Sequence, residues 1–157
     1  MRIRNSISGI TAAACAGLVL TVVCAADAAA APPTSQYKSR ATGLCLDSDM
    51  AGYTYTKTCG SNNPYQHWFR YDSNGAVQLQ NTKSGKCLAA TSSESVFAKN
   101  CNKDDSAQWW TEEYVTDGVV MLINTKNRMA LDSDTKGQAY LKSPGAGNTY
   151  QEWKTYL

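Results

Sequence analysis

Gln66-His67-Trp68, Gln108-Trp109-Trp110 and Gln151-Glu152-Trp153 are three copies of one triplet, Q-x-W, set 42 and then 43 residues apart. Other positions keep the same step: Leu46, Leu88 and Leu131, Gly43 and Gly85, Cys45 and Cys87, Cys59 and Cys101. Asn81-Thr82-Lys83 returns as Asn124-Thr125-Lys126. So many matches on one period describe a unit of about 42 residues written three times, and such units stack because none buries its apolar face alone.

Within each unit the pattern is that of short strands. Ala76–Gln80 alternates and Val119–Ile123 is continuously apolar, and Ser73-Asn74-Gly75 and Thr116-Asp117-Gly118 precede them with hairpin chemistry. No window has the period of an amphipathic helix. The expectation is a closed, threefold, all-β domain. If Q-x-W lies on a strand, Gln and Trp share a face and the middle residue takes the other. Trp68, Trp110 and Trp153 then point into the core, and Gln66, Gln108 and Gln151 bond neighbouring backbone. His67, Trp109 and Glu152 are expected in solvent.

Outward from the repeats, the N-terminus has a different character. Arg2 and Arg4 precede an apolar run from Ile10 to Val23, and Ala26-Asp27-Ala28 offers small residues around a cleavage point. This reads as a secretory signal peptide over residues 1–28, with cleavage after Ala28, or after Ala30 or Ala31. The apolar run is short for a membrane span. A lipid anchor on Cys24 is the alternative, though Val22 and Val23 stand where small residues precede an acylated cysteine. Residues 29–36, with Pro32 and Pro33, read as a short extended linker.

Without the leader, 15 basic and 13 acidic residues become 13 and 12, a net charge of +1. That balance provides no field for nucleic acid or anionic lipid. Four cysteines remain, an even number that in an exported chain argues for disulfides and allows three pairings. The repeat register selects Cys45 with Cys59 and Cys87 with Cys101. The third copy has Ala130 and Pro144 at these positions, a paired loss that fits one bridge per repeat.

Three in-register Q-x-W triplets, each preceded by a Gly-x-Cys-Leu-Asp-like segment, resemble the ricin B-type lectins. This resemblance implies a β-trefoil over residues 37–157, with repeats of about 37–78, 79–120 and 121–157. Cys45-Leu46-Asp47-Ser48-Asp49, Gly52-Tyr53-Thr54-Tyr55-Thr56 and Tyr65-Gln66-His67-Trp68 are similar to the repeat of the actinohivin-like actinomycete lectins. There, an aspartate, two tyrosines and an asparagine line a shallow sugar pocket in each repeat. Carried over, the first copy has Asp47, Tyr55 and Tyr65, and the third has Asp132, Tyr140 and Tyr150. Both keep a turn glycine (Gly52, Gly137) and a lysine two residues after the first tyrosine (Lys57, Lys142). The second copy has Ala89, Phe97 and Ala107 instead, so the resemblance implies two sites. Gly60 and Gly145 hold the asparagine position, which survives only as Asn102. Asn62 or Asn63, and Asn148, are the nearby amides.

These residue types suit a sugar on physical grounds. A carboxylate takes paired hydroxyls, and a tyrosine covers a C–H patch while its OH bonds again. The implied protein is a secreted, monomeric lectin for glycans or polysaccharide. The sugar stays open between mannose, galactose and, because of the lysines, an acidic ligand. The competing function class is an interaction or inhibitor protein that uses the fold as a scaffold. Asp49 and Asp134 read as turn residues rather than calcium ligands, since two carboxylates per loop fall short of a calcium shell. No cofactor or metal is expected, and neither is catalysis. His67 is the only histidine, the cysteines are consumed in bridges, and the aspartates fall in separate repeats.

Overall fold

In the computed structural model, which describes residues 32–91 and 93–156, the turn-bounded runs become twelve strands. The first repeat supplies β1 (Thr34–Ser39), β2 (Cys45–Ser48), β3 (Thr54–Lys57) and β4 (Trp68–Ser73). The second supplies β5 (Ala76–Asn81), β6 (Lys86–Ala90), β7 (Val96–Asn100) and β8 (Trp109–Thr116). The third supplies β9 (Val119–Asn124), β10 (Ala130–Ser133), β11 (Ala139–Lys142) and β12 (Glu152–Tyr156). Six strands close a ring in the order β1, β4, β5, β8, β9, β12 and back to β1. Closure removes the unpaired sheet edges. The other six form the hairpins β2–β3, β6–β7 and β10–β11, one per repeat. This is the expected β-trefoil.

The proposed leader lies outside the described residues, but part of the expected linker does not. Strand β1 begins at Thr34, with Thr34 and Ser35 opposite Phe69 and Trp68 of β4. The domain therefore starts before Tyr37. Thr34-Ser35-Gln36 is polar and reads as linker, yet Ser35 and Tyr37 alternate inward on the strand. The turns that divide the repeats are Asn74-Gly75 and Asp117-Gly118, slightly ahead of the limits read from the period. Asn74 and Gly75 both have positive φ, at 50° and 77°, as a two-residue hairpin loop requires.

The core is built in layers of three. Trp68, Trp110 and Trp153 are fully buried, as are Leu46, Leu88 and Leu131, and Tyr37, Leu79 and Leu122. Each indole N–H donates to the carbonyl of its own repeat's leucine, at 3.3, 3.1 and 3.0 Å, so the polar edge of each tryptophan is satisfied. The barrel also encloses an ion pair. Arg70 donates to Glu112 at 2.8 Å, and the Tyr37 hydroxyl donates to the other Glu112 oxygen at 3.0 Å. Burial first, then the Glu112 charge, pushes the Tyr37 hydroxyl well above the ordinary tyrosine range.

The Q-x-W triplets differ from the strand reading in two respects. Gln66 and Gln108 close the 3-10 turns Pro64–Gln66 and Ser106–Gln108, and the strands start after them. Nor is the middle position uniformly in solvent. Glu152 is buried and paired with Arg40, whereas His67 and Trp109 are half-buried. A carboxylate at that position turns back because a cation from the first repeat reaches it.

Both disulfides form as the register requires, with Cα separations of 5.1 and 5.0 Å. The hairpins then lock to one another in a ring. Ala98 N–H donates to Gly52 O at 2.8 Å, Leu141 N–H to Glu94 O at 2.7 Å, and Thr56 N–H to Gly137 O at 2.8 Å. The three carbonyls belong to residues in register, all at positive φ: Gly52 at 106°, Glu94 at 56° and Gly137 at 86°. A Cβ on Gly52 would lie 2.0 Å from Ala98 O, and one on Gly137 2.9 Å from Thr56 O.

Two stability predictions follow from this geometry. Replacing Cys45 and Cys59 together by alanine should cost about 3 kcal/mol in urea unfolding, the loop-entropy value for a bridge of this span. Gly52→Ala should cost about 2–3 kcal/mol through φ strain and collision with a backbone oxygen. Gly75→Ala, at φ 77° but in open space, should cost only about 1 kcal/mol.

Candidate functional site

Each hairpin sets the first two site residues against each other. Asp47 of β2 is the cross-strand partner of Tyr55 on β3, and Asp132 of β10 is the partner of Tyr140 on β11. Eight residues of hairpin bring carboxylate and phenol to one face. The Q-x-W turn then supplies the opposite wall. Asn63 accepts from Tyr65 N–H at 3.1 Å, and Asn148 from Tyr150 N–H at 3.2 Å. Each cap fixes the tyrosine that precedes the glutamine.

The same asparagines turn their amide nitrogens to the aspartates. Asn63 donates to Asp47 Oδ2 at 3.3 Å, and Asn148 to Asp132 Oδ2 at 3.4 Å. Of the two amides left open in the first copy, the structure thus selects Asn63. The register asparagine is not needed there, since Gly60 and Gly145 instead donate backbone N–H to the Q-x-W glutamines at 2.8 Å.

Gln66 and Gln151 have a role that the sequence did not reveal. Each uses one N–H on the carbonyl of Thr58 or Ser143, at 3.0 Å. The other N–H goes to the aspartate: Gln66 to Asp47 Oδ2 at 3.1 Å, Gln151 to Asp132 Oδ2 at 3.0 Å. Both aspartates are therefore buried, 2% and 4% exposed, with Oδ2 held by two donors. Among the described residues nothing donates to Asp132 Oδ1, although it is buried. A buried carboxylate oxygen without a donor is a costly arrangement unless a ligand completes it.

The result is two matched hollows. One, of about 390 Å³, brings together Asp47, Tyr55, Lys57, Asn63 and Tyr65. The other, of about 340 Å³, brings together Asp132, Tyr140, Lys142, Asn148 and Tyr150. Each hollow thus gathers the aspartate, both tyrosines, the lysine and one amide named from the sequence, while Asn62 lies in another hollow, beside His67. Burial, and then the nearby Asp47 charge, pushes the Tyr55 hydroxyl up to about 12, and the same causes raise Tyr140 beside Asp132. Both phenols therefore keep their protons at neutral pH and can donate as well as accept. Asp49 and Asp134 line the rims with one oxygen tied into the turn, accepting N–H from Gly52 and Tyr53 and from Lys136 and Gln138.

The hollows are not identical. Met50 and Ala51 border the first where Thr135 borders the third. Lys57 lies 5.1 Å from the centre of the Tyr55 ring. Lys142 lies 5.8 Å from that of Tyr140 and is also 3.4 Å from Glu94 of the second repeat. In the second repeat itself Ala89 faces Phe97, whose ring packs edge-on against Tyr53 at 5.5 Å. Its lysine, Lys99, pairs with Asp105 at 2.7 Å. Gln108 keeps its backbone bonds to Asn100 and Asn102 but has no carboxylate to hold.

This architecture recurs in solved structures, among them the following three. A designed threefold-symmetric protein, ThreeFoil, superposes with a TM-score of 0.71 at 23% identity, over 79% of this chain and 98% of its own. A GlcNAcα1-4Gal releasing endo-β-galactosidase from Clostridium perfringens gives 0.70 at 16% identity, over 78% of this chain but only 31% of the enzyme. SeviL, in a structure bound to asialo-GM1 saccharide, gives 0.66 at 17% identity, over 78% and 95% of the two chains. At these identities the likeness is one of fold. No curated protein sequence matches the chain significantly. The family model of the ricin-type beta-trefoil lectin domain matches residues 33–153, and with the three Q-x-W repeats now seen to build that fold, the chain belongs to the ricin-type β-trefoil lectin family.

Proposed function

We propose that the protein is a secreted, non-catalytic lectin that binds glycans or polysaccharide through the hollows of its first and third repeats. The observation that carries this is the duplicated carboxylate. In both hollows, Asp Oδ2 is immobilised by a glutamine and an asparagine, and among the described residues no donor is bonded to the buried Oδ1 of Asp132. An oriented carboxylate oxygen beside two phenols accepts from a sugar hydroxyl, and the phenols cover the C–H face and bond neighbouring hydroxyls. Sugar replaces the water that these groups would otherwise hold.

Family membership supports the carbohydrate-binding role, and the saccharide held by SeviL, a neighbour in fold, agrees with it. The leader over residues 1–28 and the two disulfides support export to an oxidising compartment. Each hollow has a second carboxylate, Asp49 or Asp134, but it lies at the rim with one oxygen taken by turn N–H groups, which is not the facing carboxylate pair of a glycosidase. Two shallow sites on one rigid body suit a repetitive target, where linkage raises avidity well above the affinity of either site.

The test is a glycan array, followed by titration calorimetry with the best hit. Asp47→Ala/Asp132→Ala should abolish binding, and each single variant should halve the stoichiometry while its remaining site keeps wild-type affinity. Equal binding by wild type and the double variant would overturn the site assignment; binding by neither would leave the fold as a scaffold and overturn the lectin reading. A second comparison separates the glutamines. Gln66→Ala should weaken the first site about tenfold, because Asp47 loses a charge-assisted bond. Gln108→Ala should lower stability by a similar amount of backbone bonding and leave binding unchanged.

A further inference from the structure

The middle residues of the Q-x-W triplets floor a second kind of hollow, which shares no lining residue with the aspartate sites. In the first repeat His67 lines one of about 300 Å³ with Ser61, Thr34 and Thr82; in the second Trp109 lines another of about 300 Å³ with Lys103, Ala76 and Thr125. These four pairs are in register, three of them 42 residues apart and Thr82 and Thr125 43 apart. In both, a ring nitrogen is bonded to the carbonyl six residues upstream: His67 Nε2 to Ser61 O at 3.1 Å, Trp109 Nε1 donating to Lys103 O at 2.9 Å. The third repeat has Glu152 at this position, turned to Arg40. The hollow is thus a repeated feature of the fold whose chemistry changes from copy to copy.

From this we infer that the hollow over Trp109 is a third carbohydrate site, specific for an acidic pyranose such as a uronate residue. Remaining valence decides what the hollow can take. With its N–H satisfied, the indole is fixed in orientation and offers only its face, the surface on which the C–H side of a pyranose packs. Ser73, Asn74 and Lys103 also line the hollow, and among the described residues their side chains have no hydrogen-bond or ion-pair partner. Asn74 is set rigidly by its turn, at φ 50°. Lys103 replaces the Ser61 of the first repeat, so this hollow is lined by a lysine where its counterpart has a serine. A fixed aromatic face, two small polar groups and one unpaired cation match a sugar ring bearing a carboxylate. The second repeat, which lacks the aspartate and both tyrosines, then contributes a site lined by a lysine and no carboxylate.

The test uses the Asp47→Ala/Asp132→Ala protein, so that the outcome is independent of the first two sites. The four indole N–H groups give separate signals in a proton–nitrogen correlation spectrum, and three of the tryptophans are fully buried. Uronate oligosaccharides of galacto, gluco and manno configuration should include at least one that shifts the Trp109 signal saturably and leaves the other three in place. Neutral oligosaccharides of the same configurations and an oligoglutamate of the same charge should shift it less. Trp109→His and Lys103→Ser, which restore the first repeat's residues, should each weaken calorimetric binding of that uronate about tenfold or more. The proposal is overturned if no uronate moves the Trp109 signal, if the neutral sugar or the peptide moves it as far, or if both variants bind the uronate as tightly as their parent.

Discussion

A primary amide has two N–H donors and one carbonyl, and the glutamine of Q-x-W uses all three in the first and third repeats. Its carbonyl takes a backbone N–H from the loop after the second hairpin strand, and one of its donors takes a carbonyl from the same loop. Those two bonds are present in every repeat and tie the loop to the turn that starts the next barrel strand. The remaining donor decides whether the repeat carries chemistry. Where an aspartate follows Cys-Leu or Ala-Leu, the donor holds it; where Ala89 stands, there is nothing to hold. Fold and candidate site therefore meet at one side chain. Burying a carboxylate costs several kcal/mol unless it is hydrogen-bonded, and the glutamine is the donor that makes Asp47 and Asp132 tolerable.

The three hairpins do not act alone. Each turn carbonyl accepts from a strand of a neighbouring hairpin, so the closed ring of hydrogen bonds couples the repeats outside the barrel as well as through its core. The position that presents this carbonyl needs positive φ, and two repeats meet that with glycine. The second uses Glu94, at a conformational cost of about 1 kcal/mol for a residue with a Cβ. Its carboxylate falls 3.4 Å from Lys142. An exposed pair of this kind contributes little to stability, but it changes the charge beside the third hollow relative to the first. The second repeat thereby shapes a neighbouring hollow without having the aspartate and tyrosines of its own.

The periodic features were legible in the sequence because a period of 42 or 43 residues forces equivalent residues into equivalent places. The tryptophan and leucine layers and the disulfide pairing follow from that register, while the two Asp-Tyr-Tyr sets were named through the resemblance to the ricin B-type lectins. What escaped is what the register does not carry. Glu152 sits where His67 and Trp109 are half-buried, and only the approach of Arg40, 112 residues away, explains its burial. The 3-10 turns under Gln66 and Gln108 were invisible because Asn63-Pro64 and Asp105-Ser106 read equally well as loop. Asn63 and Asn148 sit three residues past the familiar asparagine position, and only coordinates show their amides reaching Asp47 and Asp132. Gln66 and Gln151 were legible as architecture but not as donors to the site, although the joint absence of aspartate and tyrosines in the second repeat was the available sign.

A threefold fold can diverge in this way because its structural and chemical residues are different atoms on the same frame. The indole-to-leucine bonds, the buried layers and two of the three glutamine bonds recur in all repeats. None of them involves the aspartate or the tyrosines. Absence of Asp, Tyr and Tyr in one copy therefore removes a candidate binding surface without removing a layer of the core. It also frees Lys99 to pair with Asp105 and lets Phe97 pack against Tyr53. The price of that freedom is small, since Lys99 finds Asp105 in the turn before Gln108 and Phe97 finds Tyr53 in the first repeat's hairpin. Symmetry is kept where packing demands it, and chemistry varies where packing is indifferent.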